Sequence, residues 1–293
     1  MSAHREKIKA LIQLLDDPNA EVSSAVTRNI LDHGMSILPD LEAAWERSPD
    51  HNYQERIVGL IQEIQTRSAN TELRKWLDSE QHNLINGVYI LAKYQYPALA
   101  FSEIEDPLEK IIKDVWLELN NNLTALEKVR ILNHILFDVH KFRKSTRDFY
   151  NPRNSYINQV LVTKKGNPVS LSVIYSIIAQ RLGLPVYGVN LPKNFILAYK
   201  DEQVGPDIFD SFTENILFYI NPGNRGAVLG KKQIDAFLKD QNLKARQSYY
   251  NPCSNSQILV RILHNLINAY YKSGYKEKAD QFKSVLRIFE MEG

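Results

Sequence analysis

From Val169 to Ala179 the chain runs Val-Ser-Leu-Ser-Val-Ile-Tyr-Ser-Ile-Ile-Ala without a charge, and the nearly all-apolar segment ends at Leu182, after Gln180 and Arg181. A helix at a protein surface keeps an apolar stripe toward the core and charged residues on the opposite face. A helix that lacks such a polar face has to be covered all round. Pro168 sits just ahead of the run, in the first-turn position where a proline sacrifices no hydrogen bond, and Gly183 stands where a helix stops. The rest of the fold must therefore supply layers around one central helix. Short segments rich in β-branched and aromatic residues follow it: Val186 to Asn190, Phe195 to Lys200, Ile208 to Phe212 and Ile216 to Ile220. Asp201, Gly205-Pro206 and Asn221-Pro222-Gly223 punctuate them. That arrangement predicts an antiparallel sheet packed on the helix.

The flanking sequence is helical. Ile8, Leu11, Ile12, Leu14 and Leu15 share one helical face, and Asp16-Asp17-Pro18-Asn19 breaks it, with Asn19 placed to cap the next helix. Val22, Ala25, Val26, Asn29 and Ile30 resume the helical period, Gly34 closes it, and further helices run through Ile37 to Trp45 and Ile57 to Ile64. Leu14 to Val22 resembles the turn of a HEAT repeat, which implies helix pairs that bury their apolar faces only by stacking. A plain helical bundle is the alternative. Between 83 and 148 the periodicity predicts helices through Ile85 to Ala92, from Asp106-Pro107 to Leu119, and from Leu123 to Val139. Ser256 to Glu290 forms two apolar-faced helices joined at Ser273-Gly274 and resembles a single tetratricopeptide-type hairpin. The expected organisation is a HEAT-like region over 1–82, a mixed domain over 83–254 and the hairpin over 255–293. The class is α+β, predominantly helical.

Composition narrows the functional classes. The 293 residues are 44% apolar and 24% charged, with a formal net charge of +2 and one cysteine, Cys253. Such a balance gives no electrostatic reason to expect nucleic acid or an anionic membrane as partner. The basic runs Lys141 to Arg147 and Lys231-Lys232 are short and read as solvated faces. No intrachain disulfide can form, and no apolar run approaches the roughly 18 residues of a membrane span. Met1 to Ala10 lacks a signal-peptide core, so a cytoplasmic location is expected. No H-E-x-x-H, C-x-x-C or phosphate-binding glycine loop occurs. His134 and His140 are spaced poorly for one helical face. No metal and no cofactor are expected.

Several motifs appear in one order over more than half the chain: Tyr150-Asn151-Pro152-Arg153-Asn154-Ser155, Gly166 to Ser172, Arg181-Leu182-Gly183-Leu184, Gly188-Val189 with Pro192 and Phe195, and Asn221-Pro222 with Gly226. In this the region from about 84 to 289 resembles the SirB1-type branch of the transglutaminase-like superfamily. The resemblance implies a papain-like core in which a cysteine opens the central helix, a histidine on the following strand acts as base, and an aspartate or asparagine on the next strand orients it. Thiol acyl transfer needs all three. Here the positions fall on Pro168, Asn194 and Asn221. Proline offers no nucleophile, and the Asn194 amide is no base near neutral pH. Asn221 is left without a ring to orient.

The expectation is a non-catalytic relative that binds a protein or peptide, with Asn167, Ser170, Ser172 and Lys193 as further cleft residues. The alternative is a hydrolase or acyl transferase that uses Ser170 or Cys253 in the same cleft. Ser172 is expected to bond back to a helical carbonyl. The many tyrosines suit contact surfaces, most of them inside the chain.

Overall fold

The computed structural model describes residues 2–201 and 215–290. The expected strand at Ile208 to Phe212 and the turn at Gly205-Pro206 lie outside the described residues. The chain divides into two compact units, residues 1–75 with 93–97 and residues 76–92 with 98–293. The dividing points lie away from residue 82, and the C-terminal hairpin belongs to the same compact unit as the mixed domain.

The first unit is helical. It contains α1 (Ser2–Gln13), α2 (Ala20–His33), α3 (Leu38–Arg47) and most of α4 (His51–Leu77). Asn19 caps α2 by accepting a hydrogen bond from the Glu21 backbone, and Gly34 ends it at φ 57°. Ile8, Ile12 and Leu15 meet Val26 and Ile30 of α2, Leu41 of α3, and Ile57, Leu60 and Ile64 of α4 in one core. Tyr53 ties the layers by donating its hydroxyl to the Ile12 carbonyl at 2.9 Å.

The second unit begins with α5 (Leu84–Lys93, its last residue counted in the first unit), α6 (Ser102–Trp116) and α7 (Ala125–Asn133). Helix α6 starts ahead of the expected Asp106-Pro107. Pro107 lies inside it, early enough that the helix loses only one bond near its first turn, while the Glu103 carboxylate accepts from the Ala100 backbone ahead of it. Thr124 and Glu127 form a reciprocal cap for α7. The expected helix to Val139 is regular only as far as Asn133. One wide π turn, His134–Val139, carries it on, with the His140 amide donating to the Ile135 carbonyl at 2.8 Å. That turn delivers the chain into β1 (Arg143–Lys144), which pairs in parallel with β2 (Lys165–Gly166) across α8 (Ile157–Thr163).

Helix α9 (Pro168–Arg181) is the central element. Every residue from Val169 to Ala179 is buried, including Ser172 and Ser176 at 0% exposure. Each buried Val, Ile or Leu contributes about 1.5–3 kcal/mol. The strands β3 (Val186–Val189), β4 (Ile196–Lys200), β5 (Ile216–Asn221) and β6 (Ala227–Leu229) form one antiparallel sheet in that order. Ser176 and Gln180 of α9 both donate to the Val186 carbonyl of β3. In β4 the residues Ile196 to Tyr199 are all buried, as befits a strand covered on both faces. Its alternate residues Ile196 and Ala198 pack with Tyr219 against Ile234 and Leu238 of α10 (Lys231–Asp240), a helix not anticipated from the sequence. The chain ends in α11 (Asn255–Lys272) and α12 (Lys276–Glu290), with Gly274 at φ 84° between them. A buried 2.8 Å hydrogen bond between the Tyr156 and Tyr270 hydroxyls joins α11 to the core. Among the described residues, no helix is long and apolar enough to cross a membrane.

Candidate functional site

The head of α9 is built by side chains that serve the backbone. Asn167 is 7% exposed and caps the helix through its Oδ1, which accepts from the Ser170 backbone at 2.9 Å. Its Nδ2 donates to Ser155 Oγ at 2.8 Å, and its backbone N–H donates to the Asn154 carbonyl at 3.1 Å. Ser170 Oγ donates to the Asn154 and Asn167 carbonyls at 2.7 and 3.1 Å. Gly166 is required where it stands, because a Cβ there would come within 2.5 Å of that hydroxyl oxygen. The reading of Ser172 needs correction. Its hydroxyl is buried but forms no hydrogen bond, since α9 closes over it with apolar neighbours.

Pro168 and Asn194 share an open cleft of about 80 Å³, together with Asn167, Lys193, Phe195 and Arg261. Lys193 stands at φ 59°, the left-handed region that a lysine adopts at a cost, within the turn closed by the Asn194 amide donating to the Leu191 carbonyl. Asn194 Oδ1 accepts from the Phe195 backbone at 2.9 Å. Arg261 of α11 donates to Asn190 Oδ1 at 2.8 Å and to the Asn194 carbonyl at 3.3 Å, which fixes the loop against the helix.

Asn221 does not line this cleft. The β4–β5 register, Leu197 opposite Ile220, brings it to the same end of the sheet, and the Gly223 turn beside it approaches the Pro168 ring. Its Oδ1 is buried and unpartnered. Ser170 is held beneath the cleft floor by its two carbonyl acceptors.

Among the described residues, neither a histidine nor a cysteine lines the cleft. Cys253 lies elsewhere, its backbone N–H donating to the Gly188 carbonyl at 2.8 Å. Burial pushes its thiol up to about 11, against the partial opposition of backbone hydrogen bonds and the Arg261 charge. A thiol so protonated is a poor nucleophile near neutral pH. His134 and His140 engage different carboxylates, Asp138 and Asp114. The described residues contain no group of three His, Cys, Asp or Glu side chains able to hold a metal ion.

Sequence reasoning missed the wall supplied by α11. Arg261, Asn265 and Asn268 line the cleft. Their i, i+4, i+7 spacing puts three polar residues on one face of an otherwise apolar helix, and that signal was available. Asn151, Phe149 and Tyr150 close the opposite side. Lys272 holds the Tyr150 ring from above, with its Nζ 3.7 Å from the ring centre.

A buried helix that opens at the cleft, a four-stranded antiparallel sheet against it and a covering helical hairpin define the class. The Transglutaminase-like superfamily pattern matches residues 102–264, more than half of the chain, and the chain belongs to that superfamily. It is similar to F-box only protein 21 of Pongo abelii, 31% identical over 195 residues, and of Homo sapiens, 30% identical over 195 residues. The match covers 66% of this chain in both cases but only 28% and 27% of those relatives. A UPF0162 protein of Xylella fastidiosa (strain 9a5c) is 26% identical over 209 residues, covering 69% of this chain and 70% of the relative. No solved structure matches the chain significantly.

Proposed function

We propose that this chain is a SirB1-type member of the superfamily that binds a peptide segment of a partner protein without acting on it. The observation that carries the reading is the head of α9. The resemblance assigns the nucleophile position to Pro168 and the base position to Asn194, and these two side chains line the same cleft. Of the serine hydroxyls here, Ser155, which lines the cleft, accepts from Asn167 Nδ2, and Ser170 donates to two carbonyls.

The lining suits a peptide. Asn265 and Asn268 present amides that can donate and accept, and Asn151 and Asn194 keep amide donors, beside the apolar surface of Pro168 and the Phe149–Tyr150 pair. Peptide backbone needs both donors and acceptors. At about 80 Å³ the cleft is well below the about 300–1,000 Å³ of small-molecule sites. It fits one side chain, with the backbone lying across the opening.

Random-peptide display against the purified protein tests the reading, with Asn194→Trp as the blocked control. Specific peptides should be enriched by the native chain and lost with Asn194→Trp, and the recovered peptides should stay intact on incubation. Cleavage or acylation of a recovered peptide by the native chain would refute the non-catalytic part. Equal recovery by Asn194→Trp would refute the location.

A further inference from the structure

We infer that a second, larger cavity binds a multiply charged oxyanion of the phosphate class. This cavity encloses about 460 Å³, within the range of small-molecule sites. Arg143, Lys144, Arg147, Arg153 and Lys165 line it, against one acid, Asp148. All the other lining residues are Ser, Thr or Asn. Every lining side chain thus ends in a charged or hydrogen-bonding group.

The fold gathers charges that the sequence scatters. As a linear run, Lys141 to Arg147 is short. The parallel pairing of β1 with β2 sets Arg143 beside Lys165, and backbone bonds from Arg143 to Lys164 and from Ser145 to Gly166, both 2.9 Å, hold the two strands in that register. The turn at Pro152–Ser155, capped by Asn151, adds Arg153. Like charges on neighbouring strands repel. A fold that fixes five cations there beside a single carboxylate lowers the cost of binding an anion between them.

Among the described residues, the one acid that lines the cavity is Asp148. None of the five cations forms an ion pair among the described residues. Some arginines elsewhere pair with carboxylates, among them Arg181 with Glu105 and Glu109, Arg67 with Glu63 and Arg225 with Asp138, while exposed Arg130 and Arg246 have no ion pair among the described residues. Five cations and one acid give the cavity a formal charge of +4, larger than the +2 of the whole chain. The positive field is therefore concentrated here, and the rest of the molecule is net acidic. Three arginines supply planar forks that match the oxygen geometry of phosphate and sulfate. The cations are gathered round one open cavity, and this favours a compact anion over a nucleic-acid backbone, which requires an extended basic track.

This inference does not depend on what occupies the asparagine cleft, although Asn151 lines both cavities. The anion could be a free phosphorylated small molecule or a phosphorylated side chain, and the experiment separates the two. Calorimetric titration at low and at physiological salt would use sodium pyrophosphate and a phosphoserine peptide, with the unphosphorylated peptide as control. The expected result is binding that weakens with salt. Arg147→Ser with Arg153→Ser, both exposed positions, should weaken it about tenfold or more, the loss expected for one charged hydrogen bond. Charge reversal by Lys144→Glu serves as an independent check. Tighter binding of pyrophosphate assigns the site to a free ligand, and tighter binding of the phosphopeptide assigns it to a modified protein. No heat with either probe at low salt, or equal affinity in the native and substituted chains, would overturn the inference.

Discussion

Replacing Asn167 tests whether the head of α9 is held by side-chain caps as described. In Asn167→Ala the Ser170 amide loses its acceptor, a change worth about 1 kcal/mol at a helix N-cap. The Ser155 hydroxyl, itself buried, loses its donor, and stranding a buried polar group costs about 1–3 kcal/mol. The total is about 2–4 kcal/mol. Asn167→Asp keeps the acceptor, and its charge sits favourably at the helix N-terminus. The Ser155 hydroxyl can turn to donate to it, so this variant should stay within about 1 kcal/mol of the native chain. Because the chain has two compact units, the measurement should be local. Hydrogen–deuterium exchange of peptides from 168–182, read by mass spectrometry under conditions where exchange reports the opening equilibrium, isolates α9. Exchange should accelerate about thirty- to a thousandfold in Asn167→Ala and little in Asn167→Asp. Equal exchange in Asn167→Ala and the native chain, or equal acceleration in both variants, would refute the reasoning.

Three further outcomes are expected. Gly226 stands at φ 73°, and a Cβ there would lie 1.8 Å from Asn133 Oδ1, so Gly226→Ala should destabilise the second unit by about 3 kcal/mol in urea unfolding, with partial recovery on adding Asn133→Ala; full stability of Gly226→Ala would contradict the packing. With Cys253 raised from 9.0 to about 11, iodoacetamide at pH 8 should alkylate the native chain about a hundredfold more slowly than the urea-unfolded chain. The buried neutral thiol favours the folded state, so its stabilising contribution is complete below pH 9 and lost as pH rises toward 11; equal alkylation rates would count against this. Tyr156→Phe and Tyr270→Phe should each cost about 1 kcal/mol, and the double variant little more than either, since the two hydroxyls serve each other; additive losses would mean that each bonds elsewhere.

The central helix was legible because its burial is written locally. Val169 to Ala179 carries no charge, and Pro168 and Gly183 mark its ends. The strands β3, β4 and β5 were legible for the same reason, each being a short β-branched or aromatic run. The elements that escaped take their form from neighbours. Strands β1 and β2 have two residues each and exist only because the wide turn at His134–Val139 aims one at the other. Helix α10 buries just Ile234 and Leu238, too little periodicity to stand out. Pro107 reads as a helix start by local rule, yet the preceding Ala100–Glu103 cap begins α6 sooner. At the cleft, Pro168 and Asn194 followed from motif order. The i, i+4, i+7 spacing of Arg261, Asn265 and Asn268 marks a polar face on α11, but which element that face meets, and so its contribution to the cleft, depends on how the helix packs.

That contribution bears on where the working module ends. The superfamily pattern stops at residue 264, but Asn265, Asn268 and Ala269 still line the cleft, and Tyr270 satisfies the buried hydroxyl of Tyr156. A chain cut at 264 would keep the recognisable core yet lose one side of its groove and the buried Tyr156–Tyr270 hydrogen bond. The hairpin thus completes the cleft, and a transplant or fusion of the proposed peptide-binding module has to carry it along.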